Sequence, residues 1–197
     1  MKQPKPHYPR FLKQSKPHEL NFIIMVTDYY PTRIGGKFYR NEKAWSMNRG
    51  TKTLTPEKVK YIILHCSATR ADRPYTAADC ERDHKARGFI CGGYHIYVER
   101  DGKATAFRSF TEVGAHCKPF NSCSIGICYE GGLDANGDYA NTMTPEQREV
   151  IHSYLVQLTA MFPNAKIRGH RDMPGATAKA CPCFDIPEMF PEFYDFF

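Results

Sequence analysis

The chain has 197 residues and a mass of 22.6 kDa, with 42% hydrophobic residues and a formal charge of +6 at pH 7. That length suits one domain with a real core plus an extension, and the longest apolar stretches, Phe22 to Val26 and Tyr61 to Leu64, fall far short of the ~20 residues a bilayer-spanning helix needs. The charge is lopsided, since residues 1–60 hold 13 Lys/Arg against 4 Asp/Glu and residues 61–197 hold 14 against 17.

We therefore divide the chain into a basic, largely irregular N-terminal extension, residues 1–57, and a single domain, residues 58–197. The basic arm reads most simply as a solvated tail, although counterion release would also let it hold an acidic polymer, anionic lipid or nucleic acid. It does not read as a secretory signal, because Lys2 and Lys5 are followed by Pro, His, Tyr and Arg rather than by an apolar run. The eight cysteines of such a chain are expected to be reduced thiols, with Cys117 and Cys123 the pair that oxidation could join across a short loop.

Within the arm, Asn21 to Thr27 is the one segment with strand character. Tyr61 to Ser67 (YIILHCS) is nearly continuous and β-favouring, as in a strand buried on both faces. Side chains alternate along it, so Ile63, His65 and Ser67 share one face, while Cys66 joins Ile62 and Leu64 in the core. Thr76, with Asp79 three residues on, opens a helix that stops at Gly88. Tyr94 to Glu99 and Lys103 to Phe107 form a hairpin around Asp101-Gly102, where a primed two-residue turn is expected. Ser124 to Glu130 is a further strand. Thr144, Pro145 and Gln147 mark the start of a long helix with Ile151, Leu155, Leu158 and Phe162 on its apolar stripe. Lys166 to His170 is a short strand that delivers His170 to the sheet's edge. Strands alternating with helices indicate an α/β domain with a central mixed β-sheet flanked by helices.

The chemistry concentrates in two places. His65 sits on the first strand, and Gly169-His170-Arg171-Asp172 is followed by Lys179-Ala180-Cys181-Pro182-Cys183-Phe184-Asp185. Two imidazoles and a thiolate suit zinc, and a three-ligand set leaves a position for water, which marks a catalytic rather than a structural ion. Spacing alone does not choose between Cys181 and Cys183 as the sulfur ligand.

Together these segments resemble a family. LHCSAT around His65, HKARGF with GGYHIYVERDGK around Tyr94, VGAHCKPFNSCSIGICYEGG around His116, GHRD, and KACPCFD occur in the order found in the N-acetylmuramoyl-L-alanine amidase type 2 group. That group includes amidase-type phage lysozymes and peptidoglycan-recognition proteins. The resemblance spans roughly residues 60–187 and implies zinc on His65, His170 and Cys181, catalytic roles for Tyr94 and Lys179, and hydrolysis of the amide joining N-acetylmuramic acid to L-alanine in peptidoglycan. Zinc acidifies water and polarises an amide carbonyl. Lys179 would donate to the developing oxyanion, and Tyr94 would orient water or relay a proton.

Many relatives carry a glutamate after the Ser-Ile-Gly-Ile run, where this chain has Cys128. Glu130 shares that strand face and is a weaker substitute. His116 is read as a pocket wall that touches substrate, with an ordinary loop imidazole as the alternative. His95, adjacent to Tyr94, faces away and is expected in a packed or supporting role. The expected partner is peptidoglycan or a muropeptide. No membrane span or nucleic acid is expected, and the protein is expected to be a monomer. Some phage amidases also bind an RNA polymerase, but no residue here identifies such a partner. A phage or prophage lysin made in the cytoplasm and acting on the wall is the expected context. The rival readings are a cytosolic muropeptide-recycling amidase and a non-catalytic recognition module.

Overall fold

A computed structural model of the chain describes residues 52–177 and 180–197, together with the backbone of two upstream strands, β1 (Thr32–Ile34) and β2 (Lys37–Tyr39). The proposed strand at Asn21 to Thr27 and the candidate catalytic Lys179 lie outside the described residues. β1 and β2 pair antiparallel, with Arg33 opposite Phe38, so the arm is not irregular throughout. Gly35-Gly36 between them is a two-residue hairpin signal that a compositional reading of the arm passes over.

Five strands form the central sheet: β3 (Tyr61–Cys66), β5 (Ile96–Val98), β6 (Ala104–Ala106), β7 (Ser124–Tyr129) and β9 (Lys166–Gly169), in the order β6-β5-β7-β3-β9. β3 lies parallel to both β7 and β9, β5 runs parallel to β7, and only β6 is antiparallel. A second, two-stranded piece joins β4 (Thr69–Arg70) to β8 (Gly132–Leu133) in parallel. The central mixed sheet is the expected one, and β3 lies between two parallel neighbours, as its unbroken apolar run requires.

The two faces of the sheet divide the molecule. Ile62, Leu64, Ile125, Ile127, Ile96 and Val98 face a core shared with Val150, Ile151, Leu155 and Leu158 of helix α2 (Pro145–Met161). Each such fully buried aliphatic side chain contributes about 1.5–3 kcal/mol. The other face carries Ile63, His65, Tyr97 and Cys128, the last two packed with Ala77 and Cys80 of helix α1 (Ala77–Ala86). Both helices begin where their caps indicate: Thr76 and Asp79, and Thr144 and Gln147, exchange reciprocal side chain–backbone hydrogen bonds. Gly88 takes φ +86° beyond α1, the left-handed conformation that glycine permits at low cost.

The β5–β6 hairpin is present, but its turn differs from the primed form. The amide of Gly102 donates to Glu99 O at 2.9 Å, the amide of Glu99 donates to Lys103 O, and only Gly102 of the three loop residues has positive φ, +83°. This is a three-residue connection in which an ordinary turn is followed by a left-handed glycine. Asp101-Gly102 signals both turn types, and the cross-strand register decides between them.

Packing begins upstream of residue 58. Leu54 is buried, its amide donates to Thr111 O at 2.7 Å, and Thr53 bridges to Glu112. At the other end, helix α3 (Ile186–Met189) and the turn Pro191–Phe196 bury Phe190 and Phe193, with Arg148 stacked over the Phe190 ring at 5.2 Å.

Candidate metal centre

His65 stands one residue from the C-terminal end of β3, and β9 ends at Gly169 so that His170 opens a single turn (His170–Asp172) beside it. Because β3 and β9 are parallel and pair from Tyr61 with Lys166 to Leu64 with Gly169, both imidazoles emerge at the same edge of the sheet. In parallel α/β sheets ligands collect at this carboxyl end.

The third group arrives by a loop. Tyr129 Oη donates to Pro182 O at 2.7 Å, and the Arg171 amide donates to Cys181 O at 2.8 Å, which ties the loop to both β7 and the His170 turn. Gly169 permits the close approach, since a Cβ there would meet Pro182 Cδ and Asp172 Oδ2 at 2.7 Å.

One donor atom each from His65, His170 and Cys181 lies within 4.8 Å of the others. Cys181 Sγ stands 3.9 Å from His65 Nδ1, so Nδ1 is the nitrogen that faces the cluster. The backbone amide of Cys66 points at Cys181 Sγ from 3.3 Å, an interaction that favours a thiolate. Cys183, the rival, turns away: its Sγ lies 3.3 Å from Gly132 O and 3.7 Å from Cys66 Sγ. Burial is the main reason all three surrounding imidazoles, His65, His116 and His170, titrate below the ordinary histidine value. Neutral imidazole is the form that binds a metal. Two nitrogens and one sulfur at this separation fit a zinc-like ion.

Around the cluster, Tyr94 brings its ring centroid to 5.2 Å from that of His65. Burial raises its hydroxyl well above the ordinary phenol value, with Cys128 a lesser contributor, so Tyr94 is a proton-bearing donor. Glu130 is engaged elsewhere, its carboxylate accepting from the amides of Tyr75 and Arg100 at 2.7 and 3.0 Å. His95 is enclosed: Nδ1 accepts from the Gly126 amide and Nε2 donates to Glu112 O.

His116 makes a contact that its reading as a pocket wall does not include. Rather than serving only as a wall, its Nδ1 lies 2.9 Å from His65 Nε2. Asn121 Oδ1 holds the His116 and Cys117 amides at 2.8 and 2.7 Å, and Ser124 Oγ sits 3.4 Å from His116 Nε2. A Cβ on Gly126 would meet three His116 ring atoms at 2.6–2.7 Å. Reading the sequence for ligands misses Asn121, Ser124 and Gly126. A glycine inside the apolar Ser124–Tyr129 strand was the available signal, because such glycines mark close approaches.

A cavity of about 220 Å³ opens beside Tyr94 and His116, with Tyr75, His84, Arg87 and Ser67 on its walls. A larger cleft of about 530 Å³ is lined by Arg148, Arg171 and Phe184 but by none of the three cluster residues. Neither is lined by a cluster residue, and the smaller one is the relevant space because its walls include Tyr94 and His116, the two rings that stand against His65. No helix among the described residues is long and apolar enough to cross a membrane.

Residues 55–184 match a family model described as N-acetylmuramoyl-L-alanine amidase. The endolysin of Klebsiella phage KP32 is 37% identical over 130 residues, which are 66% of this chain and 84% of that protein. Among solved structures, the endolysin amidase LysCS from Clostridium intestinale superposes with a TM-score of 0.60 at 23% identity, covering 76% of this chain and 92% of that one. Peptidoglycan recognition protein LE, solved with tracheal cytotoxin, a monomeric diaminopimelic acid-type peptidoglycan, gives 0.55 at 20% identity over 70% and 81%. At such identities the two structures speak to the fold alone.

Proposed function

The chain belongs to the N-acetylmuramoyl-L-alanine amidase family, and from that premise we propose that it is a zinc-dependent hydrolase cleaving the amide between N-acetylmuramic acid and L-alanine in peptidoglycan. The observation that carries the reading is the convergence of His65, His170 and Cys181 from two strand ends and a distant loop. A recognition module has no need of that donor set. The relation to phage endolysins supports wall lysis as the context, and the catalytic unit is taken to begin by Thr53, since Leu54 already belongs to the core, with the basic residues before it an extension.

His65, His170 and Cys181 would hold the ion. Zinc bound there supplies Lewis acidity, acidifying water toward a pKa of about 7 and polarising an amide carbonyl. Tyr94, beside His65 and protonated, donates a hydrogen bond to a substrate oxygen or hands a proton toward the leaving amine. The resemblance assigns oxyanion stabilisation to Lys179, a role in which one donor is typically worth ~10² to 10³ in rate. The cavity walls formed by Tyr75, Arg87 and His116 would contact the stem peptide and limit water at the reacting bond. Glu130 is given no role, because its carboxylate is held by the Tyr75 and Arg100 amides and is not part of the three-donor cluster.

The test is incubation with purified peptidoglycan, with and without a chelator. New L-alanine amino termini that disappear on chelation are expected. New reducing sugar ends, or cleavage indifferent to the chelator, would overturn the proposal.

A further inference from the structure

We propose that His116 is a positioning residue: it sets the tautomer of His65, so that Nε2 keeps the proton and Nδ1 is left bare as the metal donor. The inference rests on the zinc reading above and adds to it a proton order that runs through four groups.

The argument is one of counting protons. His65 Nε2 and His116 Nδ1 are 2.9 Å apart, so one proton, and only one, lies between them. If His116 supplied it, a neutral His65 would carry its own proton on Nδ1, aimed at Cys181 Sγ 3.9 Å away, and would be useless as a ligand. If His65 supplies it, Nδ1 presents a lone pair to the cluster. The choice is made further along the chain of contacts. Ser124 Oγ donates its single proton to Phe120 O at 2.8 Å. It therefore offers only lone pairs to His116 Nε2 at 3.4 Å, and a nitrogen facing lone pairs must be N–H. A neutral His116 protonated on Nε2 is bare on Nδ1, which makes it an acceptor from His65.

The ring has little room to flip out of this order. It lies flat against Gly126 of β7, and a Cβ at Gly114 would also strike it, at 2.4 Å from Cδ2. Its backbone is pinned by Asn121 Oδ1. The hydroxyl of Ser124 and the two glycines thus have a shared purpose that their individual chemistry does not suggest. Partners of this kind, which orient a ligating imidazole, typically affect metal affinity by 10- to 100-fold.

The test uses the full chain and measures zinc affinity by competition with a chromophoric chelator at fixed pH. His116→Ala is expected to weaken zinc by about 10- to 100-fold. His116→Asn, whose Oδ1 can take the place of the ring acceptor, should recover most of that loss. Ser124→Ala leaves both rings in place and should weaken zinc by about 3- to 10-fold, the loss of one ordering hydrogen bond. Ring ¹⁵N shifts of the zinc-loaded protein should report His65 protonated on Nε2 and coordinated through Nδ1. Wild-type affinity in both His116→Ala and Ser124→Ala, or coordination through His65 Nε2, overturns the inference while leaving the zinc reading intact. A wild-type protein that binds no zinc overturns both.

Discussion

Acidification from pH 7 to 4.5 should weaken this fold by roughly 5 kcal/mol through two imidazoles that take no part in holding a metal. His84 and His95 are both buried, and burial is the leading reason each titrates near 4 rather than 6.5. Charging His95 would place a proton on Nδ1 against the Gly126 N–H it now accepts from, and charging His84 would do the same against the Gly93 amide. The sign follows from proton uptake. Between pH 6.5 and about 4 the unfolded chain binds protons that the folded chain refuses, so stability is intact above pH 6.5 and is lost as pH falls. A depression of this size is worth about 3 kcal/mol per group at full titration, and most of it is spent by pH 4.5. The pair therefore removes a large part of the 5–15 kcal/mol by which domains are commonly stable. The lowered values of His65, His116 and His170 act in the same direction. Asp79, held near 2 chiefly by Thr76 and then Arg82, is lost only below about pH 4 and does not confuse the window. Urea unfolding across this range at constant chelator should show the midpoint falling steeply. A midpoint flat from pH 7 to 4.5, or native His84 and His95 resonances titrating near 6.5, would refute the reasoning.

Three further outcomes are expected. Tyr94→Phe should retain zinc while kcat on peptidoglycan drops by about 10²-fold or more, as expected for a lost proton donor; steady-state rates with a zinc-content assay check it. Cys181→Ser should abolish tight zinc binding while Cys183→Ser leaves it nearly unchanged, because Cys183 Sγ faces Gly132 O and Cys66 Sγ instead; equal losses in both variants would contradict the ligand assignment. Gly126→Ala should cost about 1–3 kcal/mol in urea unfolding, the usual penalty for overpacking, since the new methyl collides with the His116 ring at 2.6 Å.

Local elements were legible because their causes are local. The caps at Thr76 and Thr144 are exchanges between residues three apart, and the apolar run around Ile62 to Leu64 declares a two-faced strand whatever surrounds it. Where two local solutions share one signal, reading failed: Asp101-Gly102 suits both hairpin turns, and the pairing of Glu99 with Lys103 selected the longer one. The aromatic C-terminal segment from Phe184 to Phe197 has no clear period, and its burial against α2 became visible only in the folded chain.

For the candidate site the division is sharper. Sequence alone determined the chemical inventory, two imidazoles and a thiol in motifs of a zinc amidase family, and the strand that carries His65. The folded chain decided which cysteine joins them, that His116 bonds to His65 rather than simply lining a wall, and that Glu130 is already occupied. The reason is geometric: His65 lies 51 residues from His116 and 116 from Cys181. Over such separations only the register of β3 with β7 and β9, and the loops tied to it, sets which atoms meet.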